Sequence, residues 1–265
     1  SKQLVSVADN AWPPRSVAYG YDAAGNLAAF TDPVGNTTTF SYTPADGGFP
    51  KGLLSQLFYP SNPATPFVTN AYDTLGRVAA QTNANGATWN YFFAGYRSEE
   101  DDPNGTQHVL YYNPRGKALF DIQDAAGLSL QTRFTYDGLD RLTATVLPSG
   151  LTTSYTYAAA PNPWANNVAT VTRSAASGPL TPTVTSYAYE ANFNKPARIT
   201  DALGRVTLVE YDSWTSNPLA VTADAGAAPH FNVRTAATYN EIGLVASTTD
   251  PLGVVTRHSY DGFGN

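Results

Sequence analysis

One short phrase returns along the chain in close variants: YDAAGN at Tyr21–Asn26, YDTLGR at Tyr72–Arg77, YDGLDR at Tyr136–Arg141 and YDGFGN at Tyr260–Asn265. Tyrosines that open such phrases stand at positions 21, 42, 72, 91, 112, 136, 157, 189, 211, 239 and 260. The commonest interval is 21 residues, and the longer ones read as loop insertions. Tyr91 is a weak member, because Phe92 follows it in place of an acidic residue. A fixed period of this kind points to one small unit stacked many times.

The first unit shows what the phrase does. Asp22 and Gly25 occupy the first and fourth positions that a type I turn prefers. Leu27 to Thr31 then reads as a strand. Asp32, Pro33 and Gly35 make a second turn, with proline's preset φ in second place. From Thr37 to Tyr42 the residues alternate in period two, so this is a second strand. The pattern recurs with Tyr72, Asp73 and Gly76; with Tyr136, Asp137 and Tyr157; and with Tyr189, Asp201, Gly204 and Tyr211. It ends with Tyr239, Gly243, Asp250, Gly253, Tyr260 and Asp261. These residues are expected to be structural: the aspartates satisfy turn backbone, and the tyrosines bury a ring while the hydroxyl keeps a partner. A lone two-stranded unit is unstable in water, whereas stacked units support one another.

Composition agrees with strands and turns. Charged residues are 14% of the chain, and 21 glycines and 19 prolines punctuate it. The net charge is −6 and the basic residues are scattered, which leaves no stripe to neutralise phosphates and argues against nucleic acid. No apolar run reaches the roughly 18 residues of a membrane span. Cysteine is absent, which excludes disulfides and thiolate metal sites. Methionine is absent too, even at position 1, and the chain therefore reads as an internal piece of a longer protein.

Candidate chemistry is sparse. His108, His230 and His258 lack metal-ligand spacing, so ordinary strand and loop positions are expected for them. The run Glu99-Glu100-Asp101-Asp102 reads as a solvated acidic loop, with calcium binding and carboxylate catalysis as the alternatives. Trp12, Trp89, Trp164 and Trp214 are expected to pack in the core or within insertions rather than to form sugar platforms. Asn36-Thr37-Thr38 and Asn104-Gly105-Thr106 fit the glycosylation acceptor pattern, relevant only in a secreted eukaryotic protein. No catalytic, cofactor or metal residue is assigned.

Units of the form Tyr-Asp-x-x-Gly-(Asn/Arg)-Leu, followed by Asp-x-x-Gly and a closing Tyr, resemble the YD repeat, also called the RHS repeat. The clearest matches are Tyr21–Tyr42, Tyr136–Tyr157, Tyr189–Tyr211 and Tyr239–Tyr260, and the resemblance covers residues 17–265. It implies an all-β fold: tandem repeats forming a twisted, spiralling antiparallel sheet, a segment of a hollow shell. The array is expected to run over residues 1–265, with 1–16 as a flanking strand or the tail of an earlier repeat. Residues 43–71 and 158–188 are expected to be surface insertions. Asp140 and Phe193 replace the turn glycine, so those two turns are expected to differ in type or length.

In bacterial carriers of this repeat the shell encloses a variable C-terminal toxin domain. The implied function is thus encapsulation rather than catalysis, in a secreted, cell-surface or delivered bacterial protein. The implied partners are flanking repeats and that toxin domain, with edge-to-edge self-association possible and no cofactor. The competing reading is an adhesion module whose loops recognise a glycan or a surface protein. A glycosidase-like enzyme is the third.

Overall fold

The computed structural model describes residues 3–43, 52–159, 166–176 and 181–265. Among them the chain is all-β, with 22 strands and no helix. Packing gathers it into two compact units, Ser1–Gln131 and Thr132–Asn265, and the repeat runs through both. The first unit holds β1 (Ser6–Ala8), β2 (Ser16–Tyr21), β3 (Leu27–Thr31), β4 (Thr37–Tyr42), β5 (Leu54–Phe58), β6 (Val68–Tyr72), β7 (Val78–Asn83), β8 (Thr88–Ala94), β9 (Arg97–Asp101), β10 (Gln107–Tyr112) and β11 (Ala118–Gln123). The second holds most of β12 (Leu130–Tyr136), then β13 (Leu142–Val146), β14 (Thr152–Tyr157), β15 (Val168–Ser174), β16 (Thr183–Tyr189), β17 (Pro196–Thr200), β18 (Val206–Tyr211), β19 (Pro218–Ala223), β20 (Val233–Tyr239), β21 (Val245–Thr249) and β22 (Val255–Arg257). Within each unit every strand pairs antiparallel with the next, from β1–β2 to β10–β11 and from β12–β13 to β21–β22.

One irregularity recurs at the repeat tyrosine. Gly20 faces Ala29, but Tyr21 faces Leu27, so one residue of β3 is left over. The same slip falls at Tyr42, Tyr72, Tyr112, Tyr136, Tyr157, Tyr189, Tyr211 and Tyr239. Each is a β-bulge, which bends the strand and raises its local right-handed twist. Prolines 196 and 218 open their strands, where a missing N–H is tolerated.

Neither unit builds an enclosed core. Among the described residues, the buried apolar side chains are Val109, Val206, Ala220 and Ala225. Most strand residues are half-buried, so cohesion comes from backbone ladders and side-chain contacts along the sheet. Threonine serves that purpose: Thr31 meets Thr37, Thr82 meets Thr88 and Thr156 meets Thr170, with hydroxyl oxygens 2.6–2.9 Å apart.

Three sequence expectations change: the two insertions, the turn at Asp140 and the acidic run. Residues 43–71 and 158–188 are not loops throughout, because β5 lies in the first and β15 and most of β16 in the second. Their proline- and glycine-rich flanks lengthen the connections without removing the repeat strand; residues 44–51, 160–165 and 177–180 of those flanks lie outside the described residues. Leu4 to Asp9 belongs to the array: Tyr19 N–H donates to Val5 C=O (2.9 Å) and Asp9 N–H to Arg15 C=O (3.0 Å). The turn at Asp140 keeps its length, because Asp140 adopts the left-handed conformation itself (φ 59°). The turn at Phe193 does lengthen: Glu190 N–H reaches Lys195 C=O, and Asn194 takes the positive φ. The acidic run, finally, is no loop. Glu99 to Asp101 lie in β9, paired on both sides by β8 and β10, and Asp102 begins the next turn.

Candidate functional site

The repeated residues build two devices, a turn and a latch. In the turn, Asp22 Oδ1 accepts the N–H of Ala24 (2.9 Å) and of Asn26 (2.8 Å), and Oδ2 accepts the Asn26 amide (3.0 Å). Asp22 N–H donates to Asn26 C=O (2.9 Å), and Gly25 closes the loop at φ 90°. The result is a type I turn followed by a left-handed residue. Asp32, Asp73, Asp137, Asp201 and Asp261 repeat it, with Asn36, Arg77, Arg141, Arg205 or Asn265 on Oδ2. Asp250 keeps the two backbone bonds, to Leu252 and Val254. Gly35, Gly76, Gly204, Gly243 and Gly253 all sit at positive φ.

These donors hold the carboxyls of Asp22, Asp32, Asp73, Asp137, Asp201 and Asp261 below the ordinary aspartate range. At Asp22, Asp32, Asp137 and Asp201 the side chain four residues on contributes most. At Asp73 and Asp261 the backbone N–H of Arg77 or Asn265 leads. Asn83, Asn113 and Asn240 do the same work without charge, each accepting two backbone N–H groups. Reading the sequence for aspartate alone misses them. The signal that finds them is Asn-x-x-Gly at the same spacing.

The latch is the tyrosine. Tyr42 OH donates to Leu27 C=O (2.8 Å), and Leu27 is the residue that faces Tyr21 across the bulge. This hydroxyl therefore reaches back one repeat, to the carbonyl at the preceding tyrosine's bulge, whereas the Tyr112 hydroxyl meets Ser98 Oγ instead (3.3 Å). Tyr72 reaches Leu54 in the same way. In the second unit Tyr157 reaches Leu142 (2.7 Å), Tyr189 Val168 (3.0 Å), Tyr211 Pro196 (3.0 Å), Tyr239 Pro218 (2.9 Å) and Tyr260 Val245 (2.9 Å). Tyr21 donates to Leu4 C=O (2.8 Å) and so joins the amino-terminal strand to the series. The turn also touches the latch: the Arg141 guanidinium lies 4.4 Å from the centre of the Tyr157 ring, and Lys195 Nζ 5.5 Å from that of Tyr211. Burial pushes the hydroxyls of Tyr42, Tyr136, Tyr157, Tyr189 and Tyr211 above the usual phenol range.

Other candidates are scattered. Tyr91 has no bulge; a short hairpin through Gly95 and Tyr96 replaces the aspartate turn after β8. His108 Nε2 lies 2.9 Å from Asp121 Oδ1, and His230 Nδ1 2.7 Å from Asp224 Oδ1. His258 stands just past β22, its N–H on Ala246 C=O. Glu99 pairs with Arg97. Burial, with Glu99 next to it, raises the Asp101 carboxyl. No group of three His, Asp or Glu side chains able to hold a metal occurs among the described residues. Trp89 is half-buried in β8, but Trp12 and Trp214 stand 94% and 89% exposed on loops, contrary to the packing expected for them. Trp164 lies outside the described residues. No helix among the described residues is long and apolar enough to cross a membrane.

Comparison with known proteins matches the same phrases. Residues 21–46 and 239–265 match the family model described as RHS Repeat. A search among curated proteins returns no match. Among solved structures, the chain resembles a Photorhabdus luminescens Tc holotoxin pore at 16% identity over 91% of its length, with a TM-score of 0.52. It resembles TcdB2-TccC3-Cdc42 at 15% identity over 89%, with a TM-score of 0.53. TcdB2-TccC3 gives 16% identity over 89%, with a TM-score of 0.52. The chain spans 13–14% of the length of those three chains. At such identity the shared property is the fold alone, an all-β repeat architecture.

Proposed function

We propose that this chain is a stretch of structural wall that confines a polypeptide, and that it is not an enzyme. The observation that carries this reading is where the repeated side chains are engaged. Turn aspartates bind their own backbone, and repeat tyrosines bind the backbone of the repeat before. The recurrent residues thereby hold strand to strand. The likeness to TcdB2-TccC3 supports a place in the encapsulating shell of a bacterial toxin, in a secreted context, with a C-terminal toxin domain as the confined partner. Confinement needs a cooperative barrier, and latched neighbours supply one.

A binding module is the second reading, favoured by the exposed Trp12, Trp214 and Phe231 on loops. Protease protection separates the two. The parent polypeptide is expressed with a cleavable reporter at its carboxyl end. The wall reading expects the reporter to resist protease until the repeats unfold. Cleavage at the rate of the free reporter, with the repeats still folded, overturns that reading and leaves surface recognition as the better account.

A further inference from the structure

The dipeptide Asn-Gly occurs twice in the chain, at Asn85-Gly86 and at Asn104-Gly105. In this dipeptide the next peptide nitrogen attacks the asparagine side chain most readily, because glycine has no Cβ to hinder the approach. Both pairs fill the third and fourth places of a repeat turn, between β7 and β8 and between β9 and β10, and all four residues are exposed. A Cβ added at Gly86 or Gly105 would meet no neighbour, so the space around each glycine is open.

The turn restrains the attacking atom. Gly86 N–H donates to Asn83 C=O and Gly105 N–H to Asp102 C=O (both 3.0 Å). A nitrogen engaged in this way must lose its bond before it can turn on the side-chain Cγ, so the reaction waits for local opening. The two turns differ at their first residue. Asn83 Oδ1 accepts the N–H of Asn85 (2.9 Å) and of Ala87 (3.1 Å), and its other terminal atom is an amide nitrogen, which accepts nothing. Asp102 Oδ1 accepts the N–H of Asn104 (2.8 Å) and of Thr106 (2.7 Å), and its Oδ2 is a second charged acceptor. The backbone N–H groups of Thr106 and Asn104 hold the Asp102 carboxyl below the ordinary aspartate range, and the Asn104 side-chain amide adds to them. The carboxylate thus restrains the Asn104 amide. It also repels the negative charge that gathers on the attacking nitrogen and on the amide oxygen. Asn83, being neutral, does neither for Asn85.

We propose that Asn85 is a site of spontaneous deamidation gated by opening of the β7–β8 turn, and that Asp102 protects Asn104 from the same reaction. The Gly86 nitrogen bonds to Asn85 Cγ, its proton leaves with the side-chain NH2 as ammonia, and a succinimide ring remains. Water then opens the ring at either carbonyl. One opening gives aspartate at position 85. The other gives isoaspartate, whose main chain runs through Cγ and is one atom longer. Either product adds a negative charge to a chain already at −6. The longer loop no longer matches the β7–β8 register, in which Thr82 faces Thr88 with hydroxyl oxygens 2.8 Å apart, so the modification loosens this hairpin. This inference is independent of the confining role.

Peptide mass spectrometry of the 265-residue chain, incubated folded at mildly alkaline pH, tests it, with enzymatic methylation of isoaspartate as a second readout. Circular dichroism checks that the chain and its variants are folded. Asn85 is expected to convert about tenfold faster than Asn104, the weight of one hydrogen bond to a charged group. In urea both are expected to convert faster and at similar rates. Two variants exchange turn types that the chain already contains. Asn83→Asp is expected to slow Asn85 to the rate of Asn104, and Asp102→Asn to bring Asn104 up to the rate of Asn85. The site is overturned if Asn85 stays intact in the folded chain while the urea-unfolded chain converts, or if Asn104 converts as fast as Asn85 when folded. An Asn85 rate that urea leaves unchanged overturns the gating. Failure of either exchange to move its asparagine overturns the protection by Asp102.

Discussion

A tyrosine at the end of a strand has a ring and a hydroxyl to place, and each must find its own environment. Here a bulge falls at the tyrosine, and the hydroxyl finds a carbonyl one repeat back, as Tyr157 does on Leu142. Replacing Tyr157 by Phe keeps the ring and removes the bond. Stability measured by urea unfolding is expected to fall by about 1 kcal/mol, with unchanged secondary structure. The titrating groups give the sign of the pH dependence. The hydroxyls of Tyr42, Tyr157, Tyr189 and Tyr211 are raised by burial. Their contribution is whole below the free phenol value of about 10 and is lost as pH rises through the higher folded values. The turn carboxyls of Asp22, Asp73 and Asp137 are lowered, so theirs is whole above about pH 4 and is lost as pH falls through the depressed values. Urea midpoints are expected to drop at both ends of the scale. Asp101 runs the other way: it is raised by burial and by Glu99, and its charge opposes folding near neutrality. Asp101→Asn is expected to raise the urea midpoint at pH 7 and to leave it unchanged in acid, where the carboxyl is already neutral.

At the scale of the element, the hairpin turn decides the register, and its fourth residue decides the turn. Gly35 sits at φ 91° in open space, so Gly35→Ala meets no neighbour and feels only the backbone. That substitution is expected to cost about 1 kcal/mol. Ser216 holds the corresponding left-handed place, at φ 60°, in the longer turn after β18. Ser216→Gly is expected to raise stability by about 0.5–1 kcal/mol, read as a shift of the urea midpoint. Turns and short strands were legible in the sequence because Asp, Pro and Gly act through local backbone geometry, which spacing records. Strand β5 and the half-buried placement of the acidic run in β9 were not legible, because pairing with neighbours, not local composition, makes those segments strands. The bulge at nine of the repeat tyrosines was hidden for the same reason: one extra residue on the partner strand leaves no mark in the tyrosine's own segment. The latch was half visible. A hydroxyl in reach of water or a backbone carbonyl was expected, but which of them it meets, and which repeat supplies the carbonyl, is fixed only by the three-dimensional register.

At the scale of the whole molecule, a sheet with four buried apolar side chains among its described residues cannot rely on a core. In a stacked array stability is a sum of unit terms and of couplings between neighbours. We take the tyrosine latch to be such a coupling, so that the repeats of one unit stand or open together. Native-state hydrogen exchange on Tyr189→Phe, compared with the unsubstituted chain, tests this most directly. Loss of protection is expected in β16 and also in β14, β15, β17 and β18, with the first unit unchanged. Loss confined to β16 would contradict the coupling and reduce the repeated tyrosine to a local packing residue.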